Sequence, residues 1–213
     1  MPLSLADVVL DSARTSADLA LSDPVRSRWG EESACAGMTV GGLAHHLTGQ
    51  IGNLVELYAG PPDASAPITV REHYRRAAWA NTALDDEDNV GIRIDADEAA
   101  EGGPDAHADQ VRAALDALPA ALAAVDDHDP VLIPWQGWSL TAHDFAVTRL
   151  METVVHADDL AASVGVDTPE FPEEAVRLVV GLLSGVAVDR HGQAPVVRAL
   201  SRPQRAPASI SAF

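Results

Sequence analysis

Long stretches of helical periodicity constrain the fold of this 213-residue chain most strongly. Apolar residues recur every three to four positions in segments that begin at cap residues and end near glycine or proline. Four of these segments are long and amphipathic, which predicts an all-α fold: a four-helix bundle with a short C-terminal helical extension. The expected helices cover residues 3–29, 39–59, 70–84, 105–126, 141–164, 173–191 and 194–202.

The remaining segments lack this periodicity. The acidic stretch 85–109 is punctuated by glycine, so we expect mostly loop there, with a short extended piece at VGIRI (90–94). Residues 130–140 carry proline and tryptophan and are expected to form a connector. We assign residues 1–165 to the bundle domain and residues 166–213 to the helical extension and tail.

The charge balance argues against several classes of partner. The chain has 32 acidic and 14 basic residues and a net charge of -18. Such a surface has no basic stripe for phosphates, so we expect no nucleic-acid partner and no binding to an anionic membrane. A single cysteine rules out an intrachain disulfide and favours the reducing cytoplasm, and the start of the chain lacks a signal-peptide pattern. The oligomeric state stays open, a homodimer included.

One predicted helix carries a polar stripe on an otherwise apolar surface. In RLMETVVHADDL (149–160), Glu152, His156 and Asp159 share one side, with Arg149 at its margin. A helix that is apolar nearly all round should be buried, so this stripe must face partners, a metal or a water-filled pocket. A charged interhelical pair within the core is the alternative reading.

A second helix offers a further imidazole. At about 100° per residue, His46 lies at the edge of the apolar stripe of the helix at 39–59, beside Gln50, whereas His45 lies on the far side. Together, His46, Glu152 and His156 would provide a ligand set of two imidazoles and one carboxylate. This is a set found in catalytic zinc sites, which keep one position open.

The segments TVGGLAHHL (39–47) and RLMETVVHADDLA (149–161) resemble the mycothiol-dependent maleylpyruvate isomerase family, a branch of the DinB/YfiT-like superfamily. The resemblance covers roughly residues 5–165. It implies a DinB-like four-helix bundle that binds a divalent metal, commonly zinc, with mycothiol as the thiol co-substrate. Carried over by position, the metal ligands would be His46, Glu152 and His156. Full-length members have a larger C-terminal domain than residues 166–213 provide.

These observations predict an enzyme. It would be a metal-dependent thiol S-transferase, or an isomerase-like enzyme, in which the metal activates the mycothiol thiolate for attack on a small electrophile. A metal-dependent hydrolase and a non-catalytic metal- or ligand-binding bundle are the alternatives.

Four further residues are candidates for the site. Arg149 would bind an anionic substrate group, or else pair with neighbouring carboxylates. Asp159 would orient a ligand histidine, or else bond to another helix. Gln50 and Trp138 would line the cofactor pocket, although Trp138 also suits packing at the end of the bundle.

The other reactive side chains are expected to play no part in the site. Cys35 lies in a loop without a base nearby in the sequence, so we expect it to be structural or incidental. The remaining histidines are expected to be surface or capping residues: 73, 107, 128, 143 and 191.

Overall fold

The computed structural model describes residues 3–61, 63–83 and 85–213. Within these ranges the chain forms ten α-helices and one two-stranded antiparallel sheet, which confirms the predicted all-α class. The helices are α1 (Leu5–Ala20), α2 (Asp23–Ser27), α3 (Val40–Tyr58), α4 (Val70–Arg76), α5 (Ala78–Asn81), α6 (Glu87–Ala99), α7 (Gly103–Leu122), α8 (Ala142–Val164), α9 (Glu173–His191) and α10 (Gln193–Ser201). The strands are β1 (Pro130–Ile133) and β2 (Trp138–Thr141).

The two helices that matter most for the site begin at threonine caps, as predicted. The Thr39 side chain accepts a hydrogen bond from the Gly42 amide at the start of α3, and the Thr141 side chain accepts one from the Asp144 amide at the start of α8. Each threonine thereby satisfies an amide that has no partner within its helix. α8 ends at Gly165, whose φ of +69° suits a glycine at a helix terminus.

The four long helices α1, α3, α7 and α8 form the bundle. α3 packs against α7 and α8, and α1 packs against α8, α3 and α7. Their facing sides are fully buried, and the largest side chains there are Phe145, Leu43, Leu47, Ile51, Leu118 and Leu160. α9 packs on α8 and α1 and adds Ala175 and Val179 to the same core. The domain division at residue 165 stays a prediction.

The acidic stretch is helical, contrary to the prediction of a loop. Residues 87–99 form α6, so the expected extended piece at 90–94 is wrong. α6 packs against α3, and its Asp97 carboxylate accepts hydrogen bonds from the Thr39 amide at 3.0 Å and from the Thr39 hydroxyl at 2.6 Å. This tertiary contact places a negative charge at the N-terminus of α3, where the helix dipole favours it. The composition of residues 85–109 alone does not predict this contact between α6 and α3.

Other boundaries also differ from the prediction, and the helix expected at 105–126 is α7, which ends at Leu122. The first predicted helix divides into α1 and α2, with Pro24 in the first turn of α2, where its missing amide is tolerated. The third divides into α4 and α5 at Ala77, and its predicted end at Leu84 lies outside the described residues. The connector at 130–140 is largely a hairpin, in which Ile133 pairs with Trp138. No helix in the described part of the chain combines the length and apolar character needed to cross a membrane.

Candidate metal centre

The structure brings His46, Glu152 and His156 together where α3 packs on α8. Glu152 and His156 are one turn apart on α8, so their side chains project from the same face. Glu152 Oε2 lies 3.2 Å from His156 Nε2 and 3.8 Å from His46 Nε2. The two imidazole rings meet edge to face with their centroids 4.8 Å apart. Helical facing alone therefore selected the correct member of the His45–His46 pair for this cluster.

The three side chains are largely but not fully enclosed. Burial would raise the pKa of Glu152, but the nearby imidazoles of His156 and His46, with the charges of His156 and Arg149, hold it well below its ordinary value. Burial would likewise lower the pKa of His156, but the neighbouring Asp159, Cys35 and Glu152 side chains hold it well above its ordinary value. Both shifts favour the charged forms of Glu152 and His156, and the carboxylate lies between two imidazoles.

The donor set fits a divalent metal. One nitrogen or oxygen from each of the three side chains lies within 4.8 Å of the other two. In a tetrahedral zinc site with bonds of about 2.0–2.1 Å, neighbouring ligand atoms lie roughly 3.3 Å apart. The separations of 3.2 and 3.8 Å from Glu152 are close to this spacing, and the remaining pair of donor atoms lies within 4.8 Å, so the three side chains can converge on one cation.

Asp159 lies behind His156, on the side away from Glu152. Its carboxylate Oδ2 is 3.0 Å from His156 Nδ1, so that nitrogen donates and His156 Nε2 faces Glu152. A carboxylate that fixes a histidine in this way orients it as a metal ligand. The geometry thus suits the predicted orienting role of Asp159.

Cys35 lies in this region, a proximity that the sequence did not predict, and its structural or incidental role stays a prediction. Its thiol sulfur lies within 4.8 Å of donor atoms of His156 and Asp159. Its loop is fixed to α8 because the Ala34 amide donates to the Ser163 hydroxyl at 2.8 Å. Sequence reasoning missed this neighbour because only the tertiary fold brings the loop to the end of α8.

Arg149 and Gln50 form a second pair beside the cluster. Arg149 Nη1 donates to Gln50 Oε1 at 2.7 Å, and Gln50 Nε2 donates to the main-chain oxygen of His46 at 2.8 Å. The Arg149 guanidinium also lies over the Phe145 ring, 5.1 Å from its centroid. Gln50 therefore connects Arg149 to the turn of α3 that carries His46. Both the oxygen and the nitrogen of its side-chain amide have hydrogen-bond partners.

Helix α4, which packs against α8, contributes a buried histidine near the same cluster. His73 is buried and its ring accepts from Trp138, so its expected role as a surface or capping residue was wrong. Burial lowers the pKa of His73 to about 4, the charge of Arg149 adds to this, and Glu152 opposes it. Trp138 Nε1 donates to His73 Nδ1 at 3.1 Å. Trp138 thus fixes the tautomer of His73. Its expected role as a pocket residue did not predict this hydrogen bond.

The surface assignment of His107 was also wrong. His107 is buried between α7 and α3, and its ring centroid lies 5.2 Å from that of Trp29 and 5.8 Å from that of His45. His45 therefore points away from the candidate metal centre, as predicted, but towards α7 rather than into open solvent. A cavity of about 290 Å³ lies between α8, α9, α10 and the tail and is lined by none of the candidate ligands.

Comparison with known protein families matches residues 10–161 to the family described as mycothiol maleylpyruvate isomerase N-terminal domain. The matched region covers more than half of the chain and includes His46, Glu152 and His156, and it confirms the resemblance inferred from the sequence. It supports a mycothiol-related, isomerase-like function. Searches of curated proteins and of solved structures found no significant match. The chain therefore belongs to the mycothiol maleylpyruvate isomerase N-terminal domain family.

Proposed function

We propose that this protein is a metal-dependent enzyme that transfers mycothiol to a small electrophile, or isomerises the electrophile through such an addition. The observation that carries the proposal is the cluster of two imidazoles and one carboxylate, with donor atoms within 4.8 Å of one another. Three protein ligands leave one position of a tetrahedral metal open, which is typical of catalytic rather than structural zinc sites. Nitrogen and oxygen ligands of this kind make zinc the expected metal.

Each side chain of the cluster has a part in this proposal. His46, Glu152 and His156 would hold the metal, and Asp159 would keep His156 in the tautomer that presents Nε2. A divalent metal bound there would lower the pKa of a coordinated thiol, so that the thiol is available as thiolate at neutral pH. Gln50 would hold Arg149 beside the site, where its cation favours an anionic group on the substrate.

Thiol-transfer assays test this proposal. Zinc-loaded protein would be incubated with mycothiol and either maleylpyruvate or 1-chloro-2,4-dinitrobenzene, and product formation would be followed by absorbance. We expect turnover that requires both zinc and the thiol and that is lost in His156→Ala. Hydrolysis of an ester probe without thiol would favour the hydrolase, and zinc binding without either reaction would favour a binding bundle.

A further inference from the structure

Cys35, His156 and Asp159 form a second cluster of potential metal ligands. The Cys35 sulfur and one donor atom from each of the other two side chains lie within 4.8 Å of one another. Asp159 Oδ2 is 3.0 Å from His156 Nδ1, whereas Glu152 Oε2 is 3.2 Å from His156 Nε2. This cluster therefore lies on the Nδ1 side of His156, and it shares only that residue with the candidate metal centre.

Hydrogen bonds hold the turn that carries Cys35 against α8. The Ala34 amide donates to the Ser163 hydroxyl at 2.8 Å, and that hydroxyl donates to the main-chain oxygen of Asp159 at 2.6 Å. The Cys35 amide donates to the Ser33 hydroxyl at 3.2 Å, and the Ser33 hydroxyl donates to the main-chain oxygen of Cys35 at 3.1 Å. Ser163 thus joins this turn to the helix turn that carries Asp159. These bonds fix both backbones before any cation binds, which favours tight binding.

The sulfur atom sets the cation preference of this cluster. The cluster offers one sulfur, one nitrogen and one oxygen ligand, whereas the candidate metal centre offers two nitrogens and one oxygen. Thiolate is a soft ligand and binds thiophilic ions in preference to Mg²⁺, Ca²⁺ or Mn²⁺. All three side chains are partly exposed, so an ion can reach them from solvent. The ligand set therefore suits a thiophilic divalent cation, such as Cd²⁺.

Both clusters need His156, so they compete for it. A neutral imidazole carries one proton, and only its other nitrogen can bind a metal. With a metal on Nε2, the Nδ1 proton is donated to Asp159. With a metal on Nδ1, the remaining proton lies on Nε2 and is donated to Glu152. In each arrangement a carboxylate pairs with the nitrogen that keeps its proton, so a neutral His156 serves one cluster at a time.

We propose that Cys35, Asp159 and Nδ1 of His156 bind a thiophilic divalent cation, and that this binding excludes a metal from the centre formed with His46 and Glu152. The cation replaces the thiol proton of Cys35 and the Nδ1 proton of His156, and both protons pass to solvent. This site goes beyond the proposed function and does not depend on it. In an enzyme of the proposed kind, thiophilic ions would inhibit turnover by taking His156 away from the catalytic metal.

Cadmium titration of the metal-free protein tests this site without requiring turnover. A bond between Cd²⁺ and a thiolate gives an ultraviolet charge-transfer band, and Cys35 is the only cysteine of the chain, so the band reports on Cys35 alone. We expect the band in wild type to reach its maximum at about one Cd²⁺ per chain, because all the ligands belong to one chain. A maximum at half that amount would indicate an ion bridging two copies of Cys35 and would overturn the proposal. Cys35→Ser should lose the band.

Three variants test the other ligands. Asp159→Asn should raise the Cd²⁺ concentration at half-maximal absorption at least about tenfold, since even a residue that only orients a metal ligand contributes this much. Asp158→Asn is the matched control and should leave that concentration unchanged, because Asp158 is exposed and accepts from Thr168. His46→Ala should keep the band, because only the other centre loses a ligand. Circular dichroism would show that each variant is folded.

Zinc release tests the competition for His156. Cd²⁺ added to zinc-loaded wild type should release the zinc as the band appears, and Cys35→Ser should need more Cd²⁺ for the same release. No band in wild type, an unchanged titration of Asp159→Asn, loss of the band in His46→Ala, or zinc retained beside a full band would each overturn the proposal.

Failure of this site is distinguishable from failure of the proposed function. If the zinc-loaded protein transfers thiol but gives no cadmium band, only the second site is wrong. If the cadmium band appears and responds to the variants while the zinc-loaded protein transfers no thiol, the proposed function is wrong and the second site stands.

Discussion

At the residue scale, His156 is the side chain on which the account depends most. Its Nε2 faces Glu152 at 3.2 Å, and its Nδ1 faces Asp159 at 3.0 Å. A neutral histidine can donate from only one ring nitrogen. Asp159 favours the proton on Nδ1, so Nε2 is the nitrogen that presents a lone pair to a cation between Glu152 and His46.

Asp159→Asn should weaken metal binding without abolishing it. An asparagine at this position no longer provides a carboxylate to fix the Nδ1 proton, and loss of such a partner typically costs about 10–100-fold in metal affinity. Competition for zinc with a chromophoric chelator would measure this. The matched control is Asp158→Asn, because Asp158 is exposed and accepts from Thr168 instead. Equal zinc affinity in the two variants would contradict the orienting role.

The candidate ligands could be found from the sequence, but their surroundings could not. Helical spacing placed Glu152 and His156 on one face and chose His46 over His45, because these relations depend only on local geometry. Burial of His73 and the approach of Cys35 depend on how α4 and a loop pack against α8. No pattern within a single segment of the sequence carries that information.

At the scale of single elements, α3 is closely packed at its start and open further along. A Cβ atom at Gly42 would collide with the carboxylate of Asp97 on α6, which also bonds to Thr39. At Gly49, further along the same helix, a Cβ atom would meet no heavy atom within 4 Å. The two glycines therefore differ in their surroundings although they share one helix.

Alanine should have opposite effects at these two glycines. Gly42→Ala should lower the free energy of unfolding by about 1–3 kcal/mol, since the added methyl group forces Asp97 away from the N-terminus of α3. Gly49→Ala should raise it by roughly 0.5–1 kcal/mol, because alanine favours a helix interior over glycine. Urea denaturation followed by circular dichroism would measure both. A destabilising Gly49→Ala or a neutral Gly42→Ala would be inconsistent with this packing.

Prediction succeeded for elements with strong local signals and failed where packing decided the outcome. The sequence located α3 and α8 within a residue or two at both ends. Their starts were predicted from the caps Thr39 and Thr141, and their ends from the helix-breaking residues that follow each helix. α6 was missed because its composition is acidic and contains glycine, and its contacts with α3 lie outside any local window. The hairpin β1–β2 was missed because each strand has only four residues.

At the scale of the whole molecule, buried histidines make the folded state sensitive to acid. Burial, with a smaller contribution from the charge of His45, lowers the pKa of His107 to about 4, below its ordinary value of 6.5. His73 is shifted in the same direction. As the pH falls, the unfolded chain takes up these protons first. This contribution to stability is therefore complete above pH 6.5 and is lost between pH 6.5 and about 4.

His107→Phe should make this loss of stability less steep. Phenylalanine fills the space beside Trp29 without a group that can be protonated, and it removes the unpaired Nδ1 of His107. Free energies of unfolding measured in urea at several pH values between 7 and 4 would give the slope. The exposed His128 provides the control, since His128→Phe should leave the slope unchanged. Equal slopes for wild type and His107→Phe would contradict the assignment.

The content of divalent metal tests the central claim most directly. Elemental mass spectrometry would be applied to wild type, His156→Ala and His45→Ala, each purified after growth with added zinc. We predict about one divalent ion per chain in wild type and in His45→Ala, whose imidazole faces α7, and loss of that ion in His156→Ala. No metal in wild type, or undiminished metal in His156→Ala, would contradict the account and would make Glu152 and His156 polar residues of a structural core.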